Sequence, residues 1–162
     1  MDDFKRTEDG FTHINVFSKS KSKLGRALSN FAHTPITLGE NYFESVESWW
    51  YWSKMNNINN SSLFPHFTPE QIIDVKTKIG KEAKIYFREL FKGDSSTFNP
   101  TKEQLKEAYL QKLAEHREIE IMLFANKLPL AHYYMMFDKK VNADSTAWTA
   151  QLWDEIKSEY TK

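Results

Sequence analysis

Residues 41–55 read NYFESVESWWYWSKM, and the way this stretch folds decides the rest of the chain. Four consecutive aromatic side chains, Trp49, Trp50, Tyr51 and Trp52, follow Glu44 and Glu47 and run into Lys54. Ser45 is a good N-cap, because its side-chain oxygen can accept a backbone N–H that the first helical turn leaves without a partner. The two acids stand near the positive end of the same helix dipole. The spacing therefore predicts a helix from about Ser45 to Met55. On that helix Glu47, Trp50, Tyr51 and Lys54 fall at i, i+3, i+4 and i+7 and share one face, while Val46, Trp49 and Ser53 fall on another. A carboxylate, two rings and an ammonium on one stripe suit the wall of a site for a flat ligand. They suit equally well the edge of a core helix, with the rings buried and Glu47 a solvated surface acid. Spacing alone does not choose between the two.

Composition narrows the classes. The chain has 162 residues, of which 40% are hydrophobic, 15% aromatic and 27% charged, the balance of a globular domain with a real core. Its 22 basic and 22 acidic residues cancel, which argues against strong non-specific nucleic-acid binding or an anionic membrane as the main partner. Without cysteine there is no thiolate nucleophile, disulfide framework or cysteine zinc site. The opening MDDFKRTEDG is too polar for the apolar segment of a signal peptide, and no run approaches the roughly 20 apolar residues of a membrane span. A cytoplasmic protein without membrane association is expected.

Outward from the aromatic stretch, residues 1–10 read as a flexible N-terminus and 11–162 as a single domain. THINVF, at 12–17, alternates polar and apolar side chains as a half-buried strand does. SKSKSKLGR then places Lys19, Lys21, Lys23 and Arg26 in a loop or strand extension. Alternation along an extended chain would set the three lysines on one side, either as a phosphate clamp or as a solvated basic loop. Residues 27–38 look irregular to extended, with Pro35 blocking a helix. NNINNSS after Met55 is expected to end the aromatic helix, because asparagine and serine side chains compete for backbone hydrogen bonds. Thr68-Pro69-Glu70-Gln71 and Thr101-Lys102-Glu103-Gln104 are two capping boxes. The first opens a helical region to about Leu90 with a break at Gly80. The second opens a helix that resumes from Arg117 to Asn126, the latter a left-handed stop. PLAHYYMMF, at 129–137, reads as strand, and Trp148, Leu152, Trp153 and Ile156 have core spacing on a last helix. The fold class is α+β, a mostly helical single domain with a small β-sheet.

Outside the aromatic helix the chemistry is sparse. Asn30, flanked by apolar residues in LSNFA, must find partners for its amide, either its own backbone or a ligand hydroxyl. The five histidines have no HExxH spacing, and neither GxGxxG nor GxxxxGK[ST] occurs.

The run INVFSKSKSKLGRALSNFAHTPITLGENYFESVESWWYWSKM, at 14–55, resembles the opening of NADAR (YbiA-like) domains, in which a strand leads through LSNF and a proline turn into a [TS]VEHYYQAQK helix. Ser29-Asn30-Phe31, Ser45-Val46-Glu47 and Lys54 match that pattern, and KTKIGKEAK at 76–84 is similar to the AKKLGR segment that follows it. Ser48 and Tyr51 stand where the family usually has His and Gln, and a C-terminal D..WG.G motif is absent, leaving Asp138 or Asp144 as substitutes. The ending is similar to a divergent branch often carried by phages, which would place the protein in the host cytoplasm. The resemblance implies an N-glycosidase acting on a ribosyl C–N bond of an ADP-ribose-like nucleotide or ADP-ribosylated base, without metal or redox cofactor. It gives Glu47 the stabilisation of an oxocarbenium-like state and activation of water. It gives Lys54 the orientation of Glu47 or the binding of ligand oxygens, and Asn30 and Phe31 the ribose side. Trp50 or Tyr51 would stack on the base, and Lys23 and Arg26 would meet phosphates. Two other classes stay open, a non-catalytic protein that sequesters such a nucleotide and an interaction domain whose aromatics are core and interface.

Overall fold

In a computed structural model the described residues are 4–137, 139–142 and 148–160. They form seven α-helices and three two-stranded sheets, so the mostly helical α+β class holds, although the small sheet is three separate ribbons. The chain divides into two compact units: the described parts of Met1–Ser29 and His116–Lys162, and Asn30–Glu115.

In the first unit β1 (Ile14–Asn15) pairs in parallel with β4 (Leu130–Ala131). β5 (Tyr133–Met136) and β6 (Lys139–Asn142) form an antiparallel hairpin. The six-residue strand expected at 12–17 shrinks to two residues because the Asn15 side chain takes over the pairing. Its amide donates to the Tyr133 carbonyl at 2.9 Å, and its oxygen accepts the Tyr133 N–H at 3.0 Å. Lys23 and Arg26 lie on a short helix, α1 (Lys23–Leu28), capped by Ser22, and not on an extended chain, so the alternation argument for a lysine row does not apply. α1 packs on α6 (Arg117–Ala125), and α7 (Trp148–Tyr160) packs on β4, burying Leu28, Leu123, Leu152, Trp153 and Ile156. Asn126 ends α6 at φ −72°, outside the left-handed region expected of it; its amide bonds both polar groups of Leu128 instead. The tail expected to fray is tied down at Asp9, which is 3% exposed. Asp138 and Asp144 lie outside the described residues.

In the second unit β2 (Ile36–Leu38) and β3 (Asn41–Phe43) form a hairpin that delivers the chain to Ser45, the N-cap of α2 (Val46–Asn60). The helix runs past its expected end at Met55, because tertiary contacts outweigh local propensity. Ile58 is buried, and the Asn59 amide holds Phe67 at both its N–H and its carbonyl. α3 (Pro69–Lys76) and α5 (Lys102–Glu115) begin at the two expected capping boxes. Between α3 and α4 (Lys81–Leu90) Gly80 sits at φ +50°, where a Cβ would stand 2.5 Å from the Phe31 carbonyl oxygen, so glycine is required there. α2 packs on α3, α4 and α5. Among the described residues no helix is long and apolar enough to cross a membrane.

Candidate functional site

Serine geometry at the start of α2 sets the position of Glu47. The Ser45 hydroxyl oxygen accepts the Ser48 N–H at 3.2 Å and the Gly80 N–H at 3.0 Å, while the Ser48 hydroxyl oxygen accepts the Ser45 N–H at 3.0 Å. Ser48 thus completes the capping box at the position where the NADAR pattern has histidine. The Glu47 N–H donates to the Asn30 carbonyl at 3.0 Å, which fixes the first turn of α2 against the SNF segment. Every residue from Val46 to Tyr51 is buried, Glu47 at 9% exposure. The surface-acid reading of Glu47 therefore fails.

That burial pushes the Glu47 carboxyl from its ordinary 4.5 up to about 7, against the opposing pull of Lys84, Lys54 and Arg88, in that order of strength. None of these cations forms an ion pair with it, and among the described residues no group hydrogen-bonds to its carboxylate. Lys54 is itself buried, its ammonium 5.7 Å from the Tyr51 ring centroid and 5.2 Å from that of Phe87. Burial lowers its pKa, while Asp94 and Glu47 pull it back up. Lys84, half-buried on α4, is lowered by burial and then by Arg88 one turn away. Burial, with Glu47 next, raises the Tyr51 phenol. Burial thus works against the charged forms of Glu47, Lys54 and Lys84 from α2 and α4 and keeps the Tyr51 phenol neutral, in surroundings where opposite charges act strongly on one another.

The other sequence-chosen residues meet different fates. Asn30 does not turn its side-chain oxygen to its own backbone, because Oδ1 accepts the Tyr109 hydroxyl at 2.7 Å. Phe31 is half-buried with its backbone over Gly80. The rings of Trp50 and Tyr51 are each 8% exposed, Trp50 edge-on to Trp49 and Tyr51 tilted against Phe87 at 5.0 Å. Neither presents the open face that stacking on a base needs, because both are used in packing. Lys23 and Arg26 are exposed on α1 of the first unit, where the Arg26 guanidinium donates to the Ser20 carbonyl at 2.8 Å. Sequence reasoning missed Lys84 and Arg88. Their i, i+4 spacing around Phe87 is visible in KEAKIYFREL, but which helix they would face is not. Lys112, fully buried on α5, is a further unforeseen group, with burial bringing its ammonium down to about 7.

Fold and cluster together define a mostly helical α+β protein with a buried carboxyl on α2 that feels cations from α2 itself and from α4. Comparison of the chain with protein-family models, with curated proteins and with solved structures yields no match. Among the described residues no group of three histidine or acidic side chains is placed to hold a metal ion.

Proposed function

We propose that the protein is an N-glycosidase that hydrolyses a ribosyl C–N bond of an ADP-ribose-like nucleotide or a ribosylated base, with Glu47 as the acid–base and charge-stabilising group. The observation that carries the reading is the Glu47 carboxyl: buried, free of hydrogen-bond donors among the described residues, and titrating at about 7. An acid–base group works best when its pKa lies near the operating pH, and a buried carboxylate favours the positive charge that develops on ribose as the bond to nitrogen breaks. Water adds to the sugar carbon, its proton passes to Glu47, and the bonding electrons leave with the base nitrogen, which takes up a proton. Lys84 and then Lys54, the latter on the same helix face, keep a fraction of Glu47 ionised, and Lys54 reaches ligand oxygens. The resemblance of residues 14–55 to NADAR domains supports the same chemistry.

A non-catalytic nucleotide binder is the second reading, favoured by the covering of Glu47 by a single set of cations with no second buried acid beside it among the described residues. The experiment is base release, followed by mass spectrometry, from a ribosylaminopyrimidine phosphate and from ADP-ribosylated guanine, with the wild type and Glu47→Gln. Glutamine keeps shape and loses the charge, which the transition state feels far more than the ground state. Turnover is expected to fall by about a hundredfold or more with ADP-ribose affinity little changed. Absence of base release by the wild type, with ADP-ribose bound, establishes the binder instead.

A further inference from the structure

Asn30 is held from two sides. Its backbone carbonyl accepts the Glu47 N–H at 3.0 Å, so it is tied to the first turn of α2. Its side-chain oxygen accepts the Tyr109 hydroxyl at 2.7 Å. Tyr109 is fully buried on α5, and a phenol at that depth needs a hydrogen-bond partner. An amide oxygen can only accept, so the phenol donates and the carbonyl end of the amide is turned toward α5. The amide nitrogen has no partner among the described residues and is open to solvent. Asn15, Asn59 and Asn126 differ. Each of them braces the chain with both ends of its amide, the nitrogen donating to a backbone carbonyl and the oxygen accepting a backbone N–H. Asn30 uses only its acceptor end, and its donor end is left oriented but unused. A polar group held in place before a ligand arrives loses little freedom on binding it.

We infer that Tyr109 is a positioning residue for the ligand site: its hydroxyl fixes Asn30 as a hydrogen-bond donor, so that the ligand atom met there is an acceptor. That this acceptor is a ribose oxygen rests on the N-glycosidase reading, and the donor role of Asn30 does not. The arrangement also confers specificity, because a ligand lacking that oxygen leaves the amide unpaired in the complex and is disfavoured. Asn30 is half-buried, and phenylalanine at 109 keeps the buried ring while removing only the hydroxyl, so the pair can be separated without emptying the core.

The test titrates ADP-ribose by calorimetry into the wild type, Tyr109→Phe, Asn30→Ala and the double variant. Asn30→Ala is expected to weaken binding roughly tenfold, the value of one neutral hydrogen bond, and Tyr109→Phe roughly fivefold, because the freed amide still donates part of the time. On the Asn30→Ala background, Tyr109→Phe should change affinity by less than about twofold, since the phenol acts only through the amide. A phenol that merely supports the fold gives the same loss on both backgrounds, and that result overturns the inference. So does Tyr109→Phe binding within about twofold of the wild type, or a wild type that does not bind ADP-ribose. In isotope-labelled wild type the Asn30 side-chain NH2 resonances, identified by their absence from the Asn30→Ala spectrum, should shift as ADP-ribose saturates. Resonances that stay in place overturn the donor role. Base release by Tyr109→Phe with kcat and KM both unchanged rejects the inference and leaves the N-glycosidase reading standing. Coupling of Tyr109 to Asn30 in ADP-ribose binding, with no base release by the wild type, upholds the inference and rejects that reading.

Discussion

Asp9 in the first unit and Glu47 in the second are both buried carboxylates, at 3% and 9% exposure, and the protein treats them in opposite ways. Asp9 accepts the Asn15 N–H at 2.9 Å, the Lys21 N–H at 2.9 Å and the Ser20 hydroxyl at 2.8 Å. Around it His13 is bonded to the Tyr133 hydroxyl at 2.6 Å, and Asn15 is matched to the Tyr133 backbone. Glu47 has charges at a distance and no donor among the described residues. A buried polar group saturated by its own chain is a brace, and the loss of any partner is felt as stability. One left unsaturated and electrostatically poised is held at a free-energy cost, and under the proposed function that cost is met by a ligand.

The contrast breaks most directly at Asp9. Asp9→Ala orphans three buried or half-buried donors and should lower unfolding free energy by about 3–5 kcal/mol in urea titration. A loss under about 1 kcal/mol would mean that the network is not a brace.

Glu47→Gln should act with the opposite sign. The carboxyl is protonated in folded and unfolded states alike below its ordinary 4.5, but between 4.5 and about 7 the unfolded state ionises first, so stability falls as pH rises through that window. Glutamine escapes this. The variant should match the wild type at about pH 4 and exceed it by roughly 3 kcal/mol at about pH 8, read from paired urea curves. A variant less stable than the wild type at the higher pH would make Glu47 another brace.

The finest test stays within α2, two residues from Glu47. Ser45→Ala removes the oxygen that accepts the Ser48 and Gly80 N–H groups and should destabilise by about 1–2 kcal/mol, independently of pH. Near-neighbours on one helix would then differ in the sign of their effect, one structural and one kept for a ligand. A gain in stability, or a pH-dependent loss, would remove that distinction.

What the sequence determined by itself is what three or four consecutive residues can decide. Ser45, Thr68 and Thr101 start their helices because an N-cap oxygen and the backbone three residues on are neighbours whatever the rest of the chain does. The helical period likewise puts Glu47, Tyr51 and Lys54 on one face, and Trp148–Tyr160 shows its core stripe at the same level. Only the tertiary structure decided the rest. α2 outlasts its asparagines because Phe67 occupies the Asn59 amide, and Asp9 is anchored because Ser20 and Lys21 come round to meet it. Trp50 and Tyr51 are packing because Trp49 and Phe87 cover them. The titration of Glu47 is tertiary too. A carboxyl's pKa depends on the water removed from around it and on charges brought near it, and here both depend on α4 carrying Lys84 and Arg88 up to α2.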